Sequence, residues 1–358
     1  MEFARLRAYL LLNAIEHRAG VMSMPFFEEG FDVEEVVAFP REKWEMYFSR
    51  RKCDLVFQTI RDFRTEEEIQ YVLDRKIGLL PFEDDDYPPL LREIYNPPRL
   101  LFYLGRLPRP DTLHVAVVGA RDASTSGKYV AEELGVFLAK QGLSVVSGFA
   151  RGIDRSVHRG VLQAHGYAVG VIGMGIQEFL KPRLFEFYAK ILENGAVFSE
   201  FPVKYPAFKA NFPLRNRIIT GMSLATIIVE ARLKSGTMIS AKHALEQGRE
   251  LFAIPGPIHA ELSAGPNFLI RSGATLISDF ADIMHDLKLP VKEEQKPELS
   301  PEEQEIVLTI EETGALTMDD ISYRMQKPIQ WLAGKIAALE QKGVVSLVDG
   351  DTVRLKKS

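Results

Sequence analysis

The sequence predicts an α/β protein: an extended Rossmann-like, mostly parallel sheet flanked by a small helical N-terminal domain and a C-terminal winged helix. Three observations carry this. Short runs rich in Val and Ile alternate with helical stretches between His114 and Leu287. Runs that are apolar on both faces and separated by helices mark a parallel sheet covered on both sides. Residues 1–80 carry helical rather than alternating patterning, and a charged, proline-rich stretch at 288–301 precedes three helical segments and a hairpin. A chain of 358 residues is long enough for more than one core.

In order, residues 1–80 predict helices from Glu2 to Glu16 and around DVEEVVAF, EKWEMYFSR and TEEEIQYVLDRK. The opening MEFARLRAYLLLNAIEHRAG places a charge at almost every turn, which favours an amphipathic helix over a signal peptide. Residues 82–105 hold four prolines in two pairs and are expected to be an extended connection. The domain spanning 81–287 then carries HVAVVG, LSVVSG, YAVGVIG, AVFSEF, ATIIVEA, ELFAIPG and ATLIS as strands. The linker 288–301 leads to a winged helix over 302–358, with Ile306, Ile310, Ile321, Trp331, Ile336 and Leu339 as its expected core. Its second helix opens with Asp319 and Asp320 and its tail offers Arg354, Lys356 and Lys357, so protein contact and DNA contact stand level for this module.

The formal net charge is -5, from 44 basic and 49 acidic residues. That excludes binding nucleic acid through bulk positive charge but leaves room for a local basic patch. A single cysteine, Cys53, excludes an internal disulfide framework and fits a reducing compartment. No run approaches a membrane span, and a cytoplasmic location is expected.

Ligands of open parallel sheets gather beyond the carboxyl ends of the strands. The first strand ends in GARDASTSGK, placing Gly119, Arg121 and a Ser-Thr-Ser helix cap there. The second ends in SGFARGID, with Ser147, Gly148, Arg151 and Gly152 at the turn; the third ends in VIGMG. Beyond the fourth lies NFPLRNRIITG, with Arg215, Asn216 and Arg217. Several arginines in a Gly- and Ser-lined groove suit phosphate, because each guanidinium offers a planar fork of donors. Arg215 and Arg217 are two apart and cannot share a helix face. Arg215 is expected to contact the ligand and Arg217 to brace the site, one of the pair meeting a carboxylate such as Glu230 or Asp154. Glu200 and Glu230 are expected to orient arginines.

No catalytic constellation stands out. GARDASTSGK lacks the Lys-Ser/Thr ending of a Walker motif, and no GxGxxG follows the first strand. Ser147, Asp154 and His158 lack a GxSxG elbow for a hydrolase. No histidine has metal-ligand spacing, so neither a metal nor a cofactor is expected.

Over residues 82–280 the strings GARDASTSG, SGFARGID, SEFPVKYPAFKANFPLRNRIITGMS, VEARLKSGTMISAKHALEQGRELFAIPG and GPNFLIRSGA resemble the DNA-processing protein A (DprA/Smf) family. YPPLLREIYNPPRLLFYLG also fits its pattern. The resemblance implies a non-enzymatic protein that binds and protects single-stranded DNA in natural transformation and helps load the RecA recombinase. It further implies a homodimer joined through the central domain. The residues it assigns to DNA are Arg121, Ser147, Gly148, Gly152, Lys204, Lys209, Arg215, Asn216 and Arg217; Arg151 joins them from its place at the second strand end. Where the family pattern reads GLDxxYP, this chain has GMGIQEFLKP, with Gln177 in place of the aspartate and no tyrosine-proline pair. The competing class is a nucleotide-binding or nucleotide-hydrolysing enzyme or sensor of related fold. The PGGxGTxxE string of the phosphoribohydrolases is absent, RLKSGTMIS being the nearest stretch.

Overall fold

The computed structural model describes residues 3–182, 185, 188–292, 299–311, 313–348 and 351–355. They form two compact units, Met1–Lys292 and Glu293–Ser358. The first opens with helices α1 (Phe3–Ala19), α2 (Met24–Glu28), α3 (Val33–Ala38), α4 (Arg41–Glu45), α5 (Arg50–Asp62) and α6 (Thr65–Asp74). α3 starts at a capping box: Asp32 accepts from the Glu35 amide at 2.9 Å, and Glu35 accepts from the Asp32 amide at 2.8 Å. α2 and α5 are not expected from the sequence. The charged start of α5, Arg50 to Lys52, obscures the i, i+3, i+6 row of Cys53, Val56 and Thr59 that it buries.

The strands are β1 (Gly78–Pro81), β2 (Leu100–Gly105), β3 (His114–Val118), β4 (Ser144–Ser147), β5 (Ala168–Ile172), β6 (Gly195–Ser199), β7 (Ala225–Ile228), β8 (Glu250–Ala253) and β9 (Thr275–Leu276). Between them run α7 (Pro89–Arg92), α8 (Thr125–Lys140), α9 (Ile153–Gln163), α10 (Ile176–Phe179), α11 (Asn211–Gly221), α12 (Gly236–Glu246) and α13 (Ala264–Arg271); α14 (Ala281–Asp286) closes the unit. They make one sheet in the order β1-β2-β6-β5-β4-β3-β7-β8-β9. In that spatial order every neighbour pair from β6 onward is parallel, whereas β1 and β2 add an antiparallel edge. This is the expected Rossmann-like architecture, with two corrections. β1 is an edge strand where the sequence predicts none. The stretch expected to be a connection ends in the buried strand β2, whose apolar run LLFYLG is hidden by the proline pairs before it.

Residues alternate between the two sheet faces as a pleated strand requires. Val115, Val117 and Val145 join the core that includes α8 and α9, while Ala116, Val118 and Val146 join the core under α11 and α12. The N-terminal helices belong to the first of these cores: Tyr9, Leu12 and Ile15 of α1 pack in the same cluster as Leu100 and Phe102 of β2. From β3 the chain winds through β4, β5 and β6 in one direction, then returns to place β7 on the other side of β3. The gap between β3 and β7 is therefore the topological switch point, where loops diverge and leave room for a ligand.

The second unit contains α15 (Pro301–Glu311), β10 (Ala315–Thr317), α16 (Met318–Met325), α17 (Ile329–Gln341), β11 (Val345–Val348) and β12 (Thr352–Leu355), with strand order β10-β12-β11. This is the winged-helix layout. Ile306, Ile310, Ile321, Ile336 and Leu339 are buried as expected, but Trp331 is only half-buried and Leu332 takes the core position. Lys327 and Lys335 lie 5.7 and 5.8 Å from the Trp331 ring centroid instead. Lys356 and Lys357, residues 293–298 of the linker and 349–350 of the hairpin turn lie outside the described residues. Among the described residues no helix is long and apolar enough to cross a membrane.

Candidate nucleic-acid interface

Two turns and one helix build the site at the switch point. After β3, Gly119 lies so close to α9 that an added Cβ would fall 2.5 Å from Ile153. The turn passes Arg121 to Ser124, which caps α8 by accepting from the Gly127 amide at 2.9 Å. Glu230, just beyond β7, accepts from the Ser124 amide at 2.9 Å and its hydroxyl at 2.6 Å. Glu230 therefore fixes the first loop, and does not orient an arginine as the sequence alone suggests. After β4, Gly152 adopts φ +80 and a Cβ there would lie 2.2 Å from the Ala120 carbonyl, so the second loop nests against the first.

The third piece is α11. Its Arg215 is 3 % exposed and reaches under the second loop, where Nη1 donates to the Val171 carbonyl. Gly148 makes room for it: a Cβ there would lie 2.6 Å from Arg215 Nη1 and 2.8 Å from Asp154 Oδ2. Asp154 accepts from the Gly148 and Ala150 amides at 3.1 and 3.3 Å, so it shapes the turn beside the guanidinium. Burial pushes the Asp154 carboxyl up, with Arg215 opposing. Burial lowers Arg215 to about 10, which leaves it charged at neutral pH.

Arg217 turns to the other side of α11, as the two-residue offset requires. Its Nη1 and Nη2 donate to both Glu200 oxygens at 2.7 Å each, and its Nε donates to the Asn96 carbonyl at 3.1 Å. The partner is Glu200, not Glu230 or Asp154. Glu200 is itself held by the N-terminal layer, since its carbonyl accepts from Asn13 Nδ2 at 2.7 Å and lies 2.9 Å from His17 Nε2. The loop after β6 is tied to the same layer by the Val203 amide, which donates to Glu68 at 2.7 Å.

Two adjoining pockets open above these loops. The larger, of 440 Å³, gathers Arg121, Lys209, Arg215, Asn216, Arg232 and the Ser235–Thr237 start of α12. The smaller, of 230 Å³, shares Arg121, Ala150, Phe212 and Arg215 with it and adds Gly148, Phe149 and Arg151. The Arg121 guanidinium sits 5.2 Å from the Phe212 ring centroid. Of the expected site residues, Arg121, Gly148, Arg151, Lys209, Arg215 and Asn216 thus line one continuous cavity. Four others do not line it. Ser147 is buried and donates to the Val117 carbonyl at 2.6 Å, Gly152 shapes the turn, Arg217 braces α11, and Lys204 lies 3.7 Å from Glu67. His158 Nε2 lies 3.2 Å from the Val169 carbonyl and its Nδ1 has no hydrogen-bond partner among the described residues, so the Ser147–His158 bond that a triad needs is not made there. Sequence reasoning misses Arg232, Ser235 and Thr237. The signal is present in RLKSGT, a basic and glycine-bearing turn between β7 and α12.

Fold and site together define a Rossmann-like α/β protein with an arginine-rich pocket at its switch point. Within that class the chain belongs to the family described as DNA recombination-mediator protein A, whose model matches residues 78–288. It is 36% identical to Protein Smf of Escherichia coli over 292 residues, 78% of each chain. It is 39% identical to the DNA processing protein DprA of Streptococcus pneumoniae over 205 residues, covering 57% of this chain and 72% of that one. Among solved structures, that of DNA processing protein A from Streptococcus pneumoniae superposes with a TM-score of 0.66 at 31% identity, over 79% of this chain and 95% of the other. That of DNA processing protein A from Helicobacter pylori, described for its single-stranded DNA binding mode, gives 0.54 at 28% identity over 60% and 96%.

Proposed function

We propose that the chain binds single-stranded DNA through the switch-point cavity, protects it, and passes it to the RecA recombinase during recombination and natural transformation. The observation that carries the reading is the convergence of Arg121, Lys209, Arg215 and Arg232 with the open start of α12 on one cavity. Guanidinium groups and a helix N-terminus together favour a phosphodiester. The Helicobacter pylori relative supports the choice of single-stranded DNA. A strand held by charge and aromatic faces needs no base-specific code.

A binding role rather than an enzymatic one is supported by where the carboxylates are spent: Asp154 on backbone amides, Glu200 on Arg217 and Glu230 on Ser124. A homodimer through the central domain, which would double the footprint, and a cytoplasmic location belong to the same proposal. A mononucleotide is the second reading, favoured by the α12 N-terminus, where Ser235 makes no side-chain cap.

Fluorescence anisotropy with labelled oligothymidylate across a salt series tests this. Affinity should fall with salt, and Arg121→Ala should lessen the log-log slope by about 0.7, one phosphate contact on a single strand. Unchanged binding in folded Arg121→Ala and Arg215→Ala variants would sink the cavity as the site. Displacement by a nucleoside monophosphate at matched concentration would favour the second reading. RecA delivery is read separately, as faster RecA filament formation on strands coated with single-strand-binding protein.

A further inference from the structure

Positive charge also gathers outside the cavity, on the helical layer that precedes β1. Arg18 in the last turn of α1, Arg61 in the last turn of α5 and Arg64 between α5 and α6 are exposed. None of the three has an ion-pair partner among the described residues. The neighbouring carboxylates are engaged elsewhere. Glu66 pairs with Arg7, Glu67 lies 3.7 Å from Lys204, and the buried Glu68 accepts from the Val203 amide at 2.7 Å. Asp62 is exposed and unpaired among the described residues, so three guanidinium groups of this strip stand against one free carboxylate. A patch of one sign raises the local concentration of oppositely charged partners. Arg18 lies over the half-buried Phe63 ring, 5.6 Å from its centroid, which restrains the guanidinium without neutralising it.

The strip adjoins the loop after β6. Tyr205 of that loop donates its hydroxyl to the His17 carbonyl at 3.3 Å, and its ring lies 5.7 Å from the His17 ring. Burial pushes the Tyr205 hydroxyl and the Glu68 carboxyl up, and Arg18 opposes both, which sets it beside them. Lys204 at one end of the loop meets the helical layer, and Lys209 at the other lines the cavity. Between them Phe208 is 51 % exposed, its ring 5.7 Å from that of Tyr205. Cations interleaved with aromatic side chains thus lead from the cavity wall to the arginines of the layer, the surface that a single strand follows without a sequence code.

We infer that the N-terminal layer is a second, outlying contact for single-stranded DNA: a strand leaving the cavity past Lys209 crosses the loop after β6 and lays its backbone on Arg18, Arg61 and Arg64. The inference rests on the single-stranded DNA reading above and adds to it a contact outside the sheet. The contact is made to phosphates, for which the guanidinium fork is suited. Its signature is a dependence on strand length, because a strand too short to leave the cavity cannot reach the layer.

The test is a length series of labelled oligothymidylate, from ~4 to ~16 nucleotides, read by anisotropy at several salt concentrations with the intact chain. Wild-type affinity is expected to rise with length by more than the added binding registers supply. In the double variant Arg18→Ala with Arg64→Ala, the shortest strand should bind as it does to wild type. The longest should lose about 1.4 from its log-log salt slope, two phosphate contacts on a single strand. Arg18→Lys with Arg64→Lys keeps both charges and should restore most of that slope. Should the alanine pair fail to fold, Arg64→Glu alone, at an exposed side chain, should weaken the longest strand and spare the shortest. Long-strand slopes equal to wild type in a folded variant overturn the outlying contact and leave the cavity standing. An equal loss on short and long strands makes the arginines supports of the cavity and overturns the contact as well. A wild-type chain that binds oligothymidylate of no length removes both the contact and the reading beneath it.

Discussion

At the scale of single residues, the division of labour between Arg215 and Arg217 governs what substitutions should do. Burial alone would raise the Glu200 carboxyl; the Arg217 guanidinium outweighs it and holds that carboxyl below the ordinary carboxylate range. A carboxyl depressed on folding contributes stability that is fully present above its unfolded value, near ~4.3, and is lost as pH falls through the folded one. Glu200→Gln should therefore cost about 3–5 kcal/mol at neutral pH, because it leaves the Arg217 charge buried without its partner. It should also flatten the acid limb of a urea-denaturation series taken below roughly pH 4; a variant as stable as wild type at neutral pH would refute the bracing role. Gly148→Ala makes a complementary test. Its methyl would lie 2.6 Å from the Arg215 guanidinium, so both oligonucleotide affinity and melting temperature should drop. The offset between the two arginines is legible in the sequence because helix geometry dictates it. That Glu200 meets an arginine is expected too, but that the arginine is Arg217 is not, because the pair joins a strand end to a helix that starts eleven residues later, after a loop whose route no periodicity reveals.

At the scale of elements, the parallel strands are legible because each is apolar on both faces and ends in a glycine- or serine-bearing turn. β2 is not, since a strand entered from a proline pair reads as a loop until its pairing with β6 is seen. The more consequential surprise is the docking of α1 and α6 on the loop after β6. Asn13 and His17 meet the Glu200 carbonyl, and Glu68 meets the Val203 amide. These contacts place the helical layer two bonded steps from α11. Asn13→Ala should cost about 1 kcal/mol, the net worth of one internal hydrogen bond. It should also weaken oligonucleotide binding although Asn13 lines neither pocket; anisotropy and thermal melts of the same preparation check both. An affinity equal to wild type in the destabilised variant would uncouple the layer from the site.

At the scale of the molecule, two separately packed units imply two unfolding events. The Met1–Lys292 and Glu293–Ser358 units carry separate hydrophobic clusters, so calorimetry should resolve two transitions, and fragment 1–292 should keep the salt dependence of the intact chain. A fragment that folds but loses oligonucleotide binding would move the site's support to the winged helix. Acid should act on the larger unit first. Burial pushes His114 and His158 of that unit down to about 4, against an unfolded value near ~6.5. Protons then bind the unfolded chain preferentially, and stability should decline as pH falls from about 6.5 to about 4. Evolutionary shuffling meets the same asymmetry. A foreign N-terminal layer spliced on at residue 80 would arrive without donors aimed at the Glu200 carbonyl and without an acceptor for the Val203 amide, orphaning polar groups directly behind α11. A foreign tail joined after Lys292 would disturb neither. Lineages exchanging parts are thus expected to keep the first 292 residues as one heritable block and to vary the C-terminal unit freely.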